Sequence, residues 1–312
     1  MAKTISIIVP FLNEGNWPYK TIQSIYDTSD PNLFEVIAVD ENPKDNYDFS
    51  RFPDVKHIKN DHRMGVDACR QKGVELAETP HCLILDAHML LYPNTGWLNK
   101  IIDCCKREEK TLWCYGCVAI GYGTEDIYRH KGEYFAADLK LFTEKEKDRP
   151  ARQIVEPVWA NKKESLEYPV QVILGANYAF RKEWFMHIHG FKGLKSWGTS
   201  EPFLSLKSWL SGGMCKIRTD VRIAHYFRDN APYVTNISDL VYNKIYLLKT
   251  IFPQDIEDKL TTYIPKDANF KRAMEDIDKN KEEIEKERDY YKSIFTRDVH
   301  GFFKEFGIAI PT

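Results

Sequence analysis

Asp86-Ala-His88 is the tripeptide of this chain with the most chemistry in it. It follows the apolar run Cys82–Leu85. If that extended geometry continues for two more residues, the period of two carries Asp86 and His88 to the same face. A carboxylate beside an imidazole is a mixed O/N pair that suits Mn2+ or a similar divalent ion better than Ca2+, with open positions for diphosphate oxygens. By spacing alone, a surface Asp and a hydrogen-bonded His would look the same. Two further apolar runs also stop at polar residues, one at Asn13 and Glu14 and the other at Asp40. Ligands of open α/β sheets collect at the carboxyl ends of strands, so this end is the expected site. Cys114-Tyr-Gly-Cys117 invites a zinc or redox reading, but no second pair stands at finger-like spacing, and buried thiols in a strand are the expectation.

The elements that must position these residues alternate. Strand-like runs at Thr4–Val9, Phe34–Val39, Val55–Lys59, His81–Leu85 and Leu112–Ile120 are separated by helical spacing at Trp17–Tyr26, Gly65–Ala77 and Gly96–Arg107. This is the pattern of an α/β domain with a mainly parallel central sheet flanked by helices. From residue 121 to 169 the pattern dissolves into charged and aromatic sequence, including Tyr122, Tyr128, Tyr134 and Phe135, which predicts an insertion or mobile lid. Order returns with Val170–Phe180, a helix at Arg181–His189, a helix at Trp197–Ser211 and short strands at Cys215–Arg218 and Arg222–Phe227. Residues 1–252 thus read as one catalytic unit and 253–312 as a helical extension. In that extension Phe270, Met274, Ile277, Ile284, Tyr291 and Phe295 fall at helical spacing, predicting an amphipathic helix that packs back on the domain or pairs with another subunit.

Composition bounds the function. Forty-four Lys and Arg against forty-six Asp and Glu give a formal charge of −2, so no global basic field announces a polyanionic partner. The opening MAKTISIIVPFLNEG is too short and too soon broken for a signal peptide or membrane span. With an odd number of cysteines, seven, it leads to the expectation of a soluble cytoplasmic protein.

The run from Arg63 to Gly73, then His81-Cys-Leu-Ile-Leu-Asp-Ala-His88, then Gly96-Trp97-Leu98, resembles the nucleotide-sugar-binding half of GT-A glycosyltransferases. The likeness is to family-2 enzymes and to the catalytic domain of polypeptide N-acetylgalactosaminyltransferases. Ile5–Glu14, Val36–Asp40, Trp197-Gly198 with Trp209 and Gly212-Gly213, and Arg222-Ile-Ala-His225-Tyr-Phe-Arg228 with Ala231-Pro232-Tyr233 match further family motifs in order. The resemblance covers about residues 4–235. It implies a GT-A fold and a metal-dependent transfer of sugar from a nucleotide diphosphate donor, a UDP-sugar, to a hydroxyl. It further implies Asp86, His88 and His225 as ligands of Mn2+ or Mg2+, Asp40 on the nucleoside, and Arg70 facing the diphosphate.

The acceptor side departs from the family pattern. Glu201 falls where inverting enzymes place the base and retaining enzymes an amide, so inversion is favoured. Glu201-Pro202 also reads as an ordinary helix start with Ser200 as its cap. Trp197 reads either as a sugar-stacking platform or as packed core. For the acceptor, a saccharide and a hydroxymethylated DNA base are expected ahead of a protein side chain. The Lys-rich stretches 140–152 and 271–297, both diluted by acidic residues, would supply the charge that DNA needs. The rival from another class is a catalytically silent nucleotide-sugar-binding module.

Overall fold

A computed structural model describes residues 2–42, 44, 46–52, 54–121, 125–129, 131–142, 154–228 and 233–310. The expectations placed on Tyr122, on Ala231-Pro232 and on most of the 140–152 stretch lie outside the described residues.

The first half builds the nucleotide-side layer. In chain order it runs β1 (Ile5–Phe11), α1 (Trp17–Thr28), β2 (Phe34–Asp40), β3 (Val55–Lys59), α2 (Val66–Leu76), β4 (His81–Leu85), β5 (Met89–Leu91), α3 (Trp97–Arg107) and β6 (Thr111–Gly121). Strands β1, β2, β4 and β6 are buried along their whole length, because helices cover both faces of the sheet and apolar runs need no alternation there. Ile5, Ile7 and Val9 face the cluster that contains Ile22 and Ile25 of α1 and Trp97 and Ile101 of α3. Ile8 faces the opposite cluster, with Cys69 and Val74 of α2.

The second half runs β7 (Gly132–Tyr134), β8 (Ala137–Phe142), β9 (Ile154–Trp159), β10 (Glu167–Pro169), β11 (Asn177–Arg181), α4 (Lys182–His187), α5 (Ser200–Leu210), β12 (Met214–Phe227) and α6 (Ile237–Ile251). The chain closes with α7 (Gln254–Thr262), α8 (Ala268–Lys279), α9 (Lys281–Ile294) and α10 (Val299–Phe306). The main sheet has the order β10-β12-β6-β11-β4-β1-β2-β3, with β5 on β12 and β7 on β6. Its two longest ladders, β6 with β12 and β1 with β2, are parallel. Strand β11 enters antiparallel between β4 and β6.

Several expectations are corrected here. The 121–169 segment is not loop alone: its described residues hold β7 to β10, and β8 pairs with β9 in a separate two-stranded sheet whose Leu139, Leu141 and Val155 are buried against α6. The two short strands after α5 are one strand, β12, whose register on β6 shifts between Arg218 and Arg222. The helix expected from Trp197 starts at Ser200, because Gly198 (φ +107°) and Thr199 (φ +70°) are left-handed. Ser200 is therefore not the cap: it is the first helical residue, and its hydroxyl donates to Asp67 at 2.6 Å. The amphipathic stretch is two helices, α8 and α9, which meet at Asn280. Their apolar positions Ala273, Ile277, Ile284 and Tyr291 are buried in one cluster with α5 and α6, so that face is covered within the chain.

Candidate active site

The site lies at the carboxyl ends of β1, β2 and β4, as the topology requires. Asp86 follows β4 directly, and its backbone N–H donates to the Ala176 carbonyl at 3.0 Å. His88 sits one residue before β5. His225, 137 residues further on, pairs with Met89 in the β12–β5 ladder, so the sheet itself brings the two imidazoles together. Their Nε2 atoms stand 3.1 Å apart, and His225 Nε2 is 3.6 Å from Asp86 Oδ2. One donor atom from each of the three residues lies within 4.8 Å of the others.

The donor set fits a divalent cation. Burial lowers the pKa of both imidazoles despite the Asp86 charge, so both are neutral ligands at neutral pH. Burial works to raise the Asp86 carboxyl, but His225, Arg70 and His88 together outweigh it and bring it down to about 2. A ligand nitrogen pair about 3 Å apart is also what adjacent corners of an octahedron require.

Arg70, on α2, is 4% exposed and holds three acceptors: Asp67 at 3.2 Å, Asp86 at 3.1 Å and the Gly175 carbonyl at 3.2 Å. It thus fixes the Asp86 carboxylate as well as lining the cavity. Asp67, behind it, has its carboxyl raised to about 7 by burial, which Arg70 and Ser200 only partly offset.

These residues open on a cavity of about 470 Å3, within the range of small-ligand sites. Asp86, His88, Arg70, Glu14, Glu41 and Trp197 are among its walls. Trp197 is 37% exposed, so it is not packed core. Asp40 and Glu201 are not among the lining residues. Asp40 is fully buried: its Oδ1 accepts the Asn42 N–H at 3.0 Å, while Oδ2 has no hydrogen bond and faces His57 Nε2 at 3.7 Å. The Glu201 carboxylate lies against Gly175, so closely that a Cβ there would meet it at 2.0 Å.

Sequence reasoning missed several residues of the site. Glu41 accepts from Arg63 Nε at 2.8 Å and from the Gly65 N–H at 3.1 Å, fastening the start of α2. Its position next to Asp40 was the available signal. Glu14, placed by the sequence at the end of the first strand but given no role there, contacts both Arg228 and His88. Asp239, also on the cavity wall, carries no spacing signal; only the fold brings it in. Cys114 and Cys117 are both buried in β6, where burial pushes each thiol up to about 12.

Comparison with known proteins bears on the family. Human polypeptide N-acetylgalactosaminyltransferase 16 is 25% identical over 248 residues, 73% of this chain and 41% of that protein. Mouse polypeptide N-acetylgalactosaminyltransferase 4 is 27% identical over 249 residues, 74% of this chain and 41% of that protein. The chain thus spans about two-fifths of the length of these curated relatives. Among solved structures, GalNAc-T7 with UDP, GalNAc and Mn2+ superposes with a TM-score of 0.70 at 18% identity, covering 97% of this chain and 57% of that one. Staphylococcus aureus TarS 1–349 with UDP-GlcNAc gives 0.53 at 15% identity, covering 86% and 72%. These likenesses show the fold. Residues 6–188, more than half of the sequence, match the family described as glycosyl transferase family 2, so the chain belongs to that family and is built on a GT-A fold.

Proposed function

We propose that this chain transfers a glycosyl group from a UDP-sugar to a hydroxyl acceptor, with Asp86, His88 and His225 holding a divalent cation, Mn2+ or Mg2+. The observation that carries the reading is the convergence of one carboxylate and two neutral imidazoles within 4.8 Å, Asp86 and His88 on the wall of the cavity and His225 directly behind them. A divalent cation bound there supplies charge stabilisation to a departing diphosphate. Arg70 keeps the Asp86 carboxylate in place, and Trp197 offers an exposed ring at the cavity wall. Asp40 Oδ2, buried beside His57 and without a hydrogen bond, is the acceptor we assign to a nucleoside N–H or O–H. Glu201 is the proposed base, and a carboxylate at that position favours inversion.

The relatives' names move a polypeptide hydroxyl ahead of a saccharide and of a hydroxymethylated DNA base as the acceptor class. The test offers Ser/Thr peptides, oligosaccharides and hydroxymethylcytosine DNA in parallel with a panel of UDP-sugars and Mn2+, scoring UDP release and labelled product. Transfer should stop with EDTA and in Asp86→Ala and His88→Ala. Glu201→Gln should lose about 10²–10⁴-fold in turnover while still binding UDP. UDP-sugar binding without turnover on any acceptor or water would leave only the silent module. The anomeric proton of the product, read by NMR, separates inversion from retention.

A further inference from the structure

Glu14 is a buried carboxylate of the cavity wall to which the ligand set assigns no role. It follows β1 immediately after Asn13, whose left-handed backbone (φ +54°) turns the chain at the strand end. Its side chain is 5% exposed and lies between the Arg228 guanidinium and the His88 ring. On one side the Arg228 guanidinium contacts Oε2; on the other the same oxygen stands 3.3 Å from His88 Nδ1. That Nδ1 is buried and forms no hydrogen bond, while the other nitrogen of the ring faces His225. The two imidazoles are alike in this, and differ in what stands beside Nδ1. His225 has the Phe227 ring at 4.3 Å and, among the described residues, no partner for its Nδ1, whereas His88 has a carboxylate beside its outer nitrogen.

A neutral imidazole carries one N–H, and a carboxylate can only accept. An acceptor beside Nδ1 therefore favours the tautomer with its proton there and its lone pair on Nε2, the atom that faces the cluster. We propose that Glu14 is a positioning residue that sets the His88 tautomer and ring orientation for cation binding, with Arg228 compensating its buried charge. The inference rests on the reading of Asp86, His88 and His225 as metal ligands. Carboxylates behind ligating histidines typically account for 10–100-fold in metal affinity.

The test is Mn2+ binding by the intact chain, followed from the electron paramagnetic resonance signal of free Mn2+, with no substrate present. Glu14→Gln should weaken binding about 10–100-fold, and Glu14→Asp should recover part of the loss. Equal affinity of wild type and Glu14→Gln would overturn the role of Glu14 and leave the metal reading standing. Absence of Mn2+ binding by the wild type would overturn both. Should the variants fail to fold, long-range 1H–15N correlation on the wild type gives the His88 tautomer directly, its signals assigned by their loss in His88→Gln. A proton on Nδ1 supports the proposal, and a proton on Nε2 overturns it.

Discussion

At the scale of residues, Arg70 shows how much of the site depends on a group that spacing alone did not explain. Two carboxylates and a carbonyl surround a guanidinium that is almost wholly out of water. Removing it takes the cation from Asp86, which is partly exposed to the cavity, and from buried Asp67, whose carboxyl can instead take up a proton, a loss of about 3 kcal/mol. Arg70→Met should therefore lower the urea midpoint by that free energy divided by the slope, with the slope itself unchanged. Arg70→Lys should not restore it, because a point charge on a flexible stem cannot serve three acceptors as a planar fork does. The Asp-x-His pair was legible as a carboxylate and an imidazole two residues apart at a strand end, but the extended chain expected to align them does not continue: Ala87 and His88 lie in the turn between β4 and β5. Its completion by His225 was legible only through a family likeness, since nothing in local spacing announces a partner that a ladder delivers from another strand.

Among elements, the join between α2 and the loop before α5 is the tightest place in the cavity wall. Gly65 caps α2 at φ +91° and bridges Ser196, and a Cβ there would stand 2.3 Å from the Ser196 Cα. Gly96, at the start of α3, is also left-handed, at φ +62°, but nothing lies within 4 Å of its Cβ position. Gly65→Ala should thus cost roughly 3 kcal/mol or more, through backbone strain and overpacking together. Gly96→Ala should cost about 1–2 kcal/mol, from the left-handed backbone alone. Chemical denaturation of both variants measures the difference, and equal costs would contradict the packing argument. The parallel strands were readable because their apolar runs are continuous. The strands β7 to β10 were not: β7 and β10 have three residues each, and in β8 and β9 Asp138, Lys140 and Glu156 interrupt the apolar residues. The break between α8 and α9 escaped for a similar reason, as the apolar spacing runs on across Asn280 while the backbone does not.

Taken whole, the molecule closes its second half around the terminal helices. Lys207 of α5 is fully buried, and its ammonium group donates to the Gly190 carbonyl at 2.5 Å and to the Tyr291 hydroxyl at 3.2 Å. Glu287 of α9, 2% exposed, binds His189 at 2.8 Å and Lys192 at 2.6 Å. Burial tends to raise the Glu287 carboxyl, yet Lys192 and His189 bring it below the usual carboxylate range. Its stabilisation is therefore present above the unfolded value of about 4.3 and is lost as pH falls through the lower folded value. Glu287→Gln should cost about 1.5–3 kcal/mol at pH 7 and should flatten the acid limb of a Tm against pH curve. Curves that stay parallel down to acid pH would refute the assignment. Among the described residues no helix is long and apolar enough to cross a membrane.

The seven cysteines have a practical consequence. All are buried, and they fall in α2, β4, α3, β6 and β12, with none beyond residue 215. Burial pushes every thiol up, those of Cys69, Cys82, Cys114, Cys117 and Cys215 to about 12. Alkylating reagents attack the thiolate, so each site reacts only when the backbone around it opens to water. The native protein thus carries built-in reporters across the sheet while its terminal helices stay silent. Mass-resolved alkylation would time the opening of β4, β6, β12, α2 and α3 without a single engineered residue.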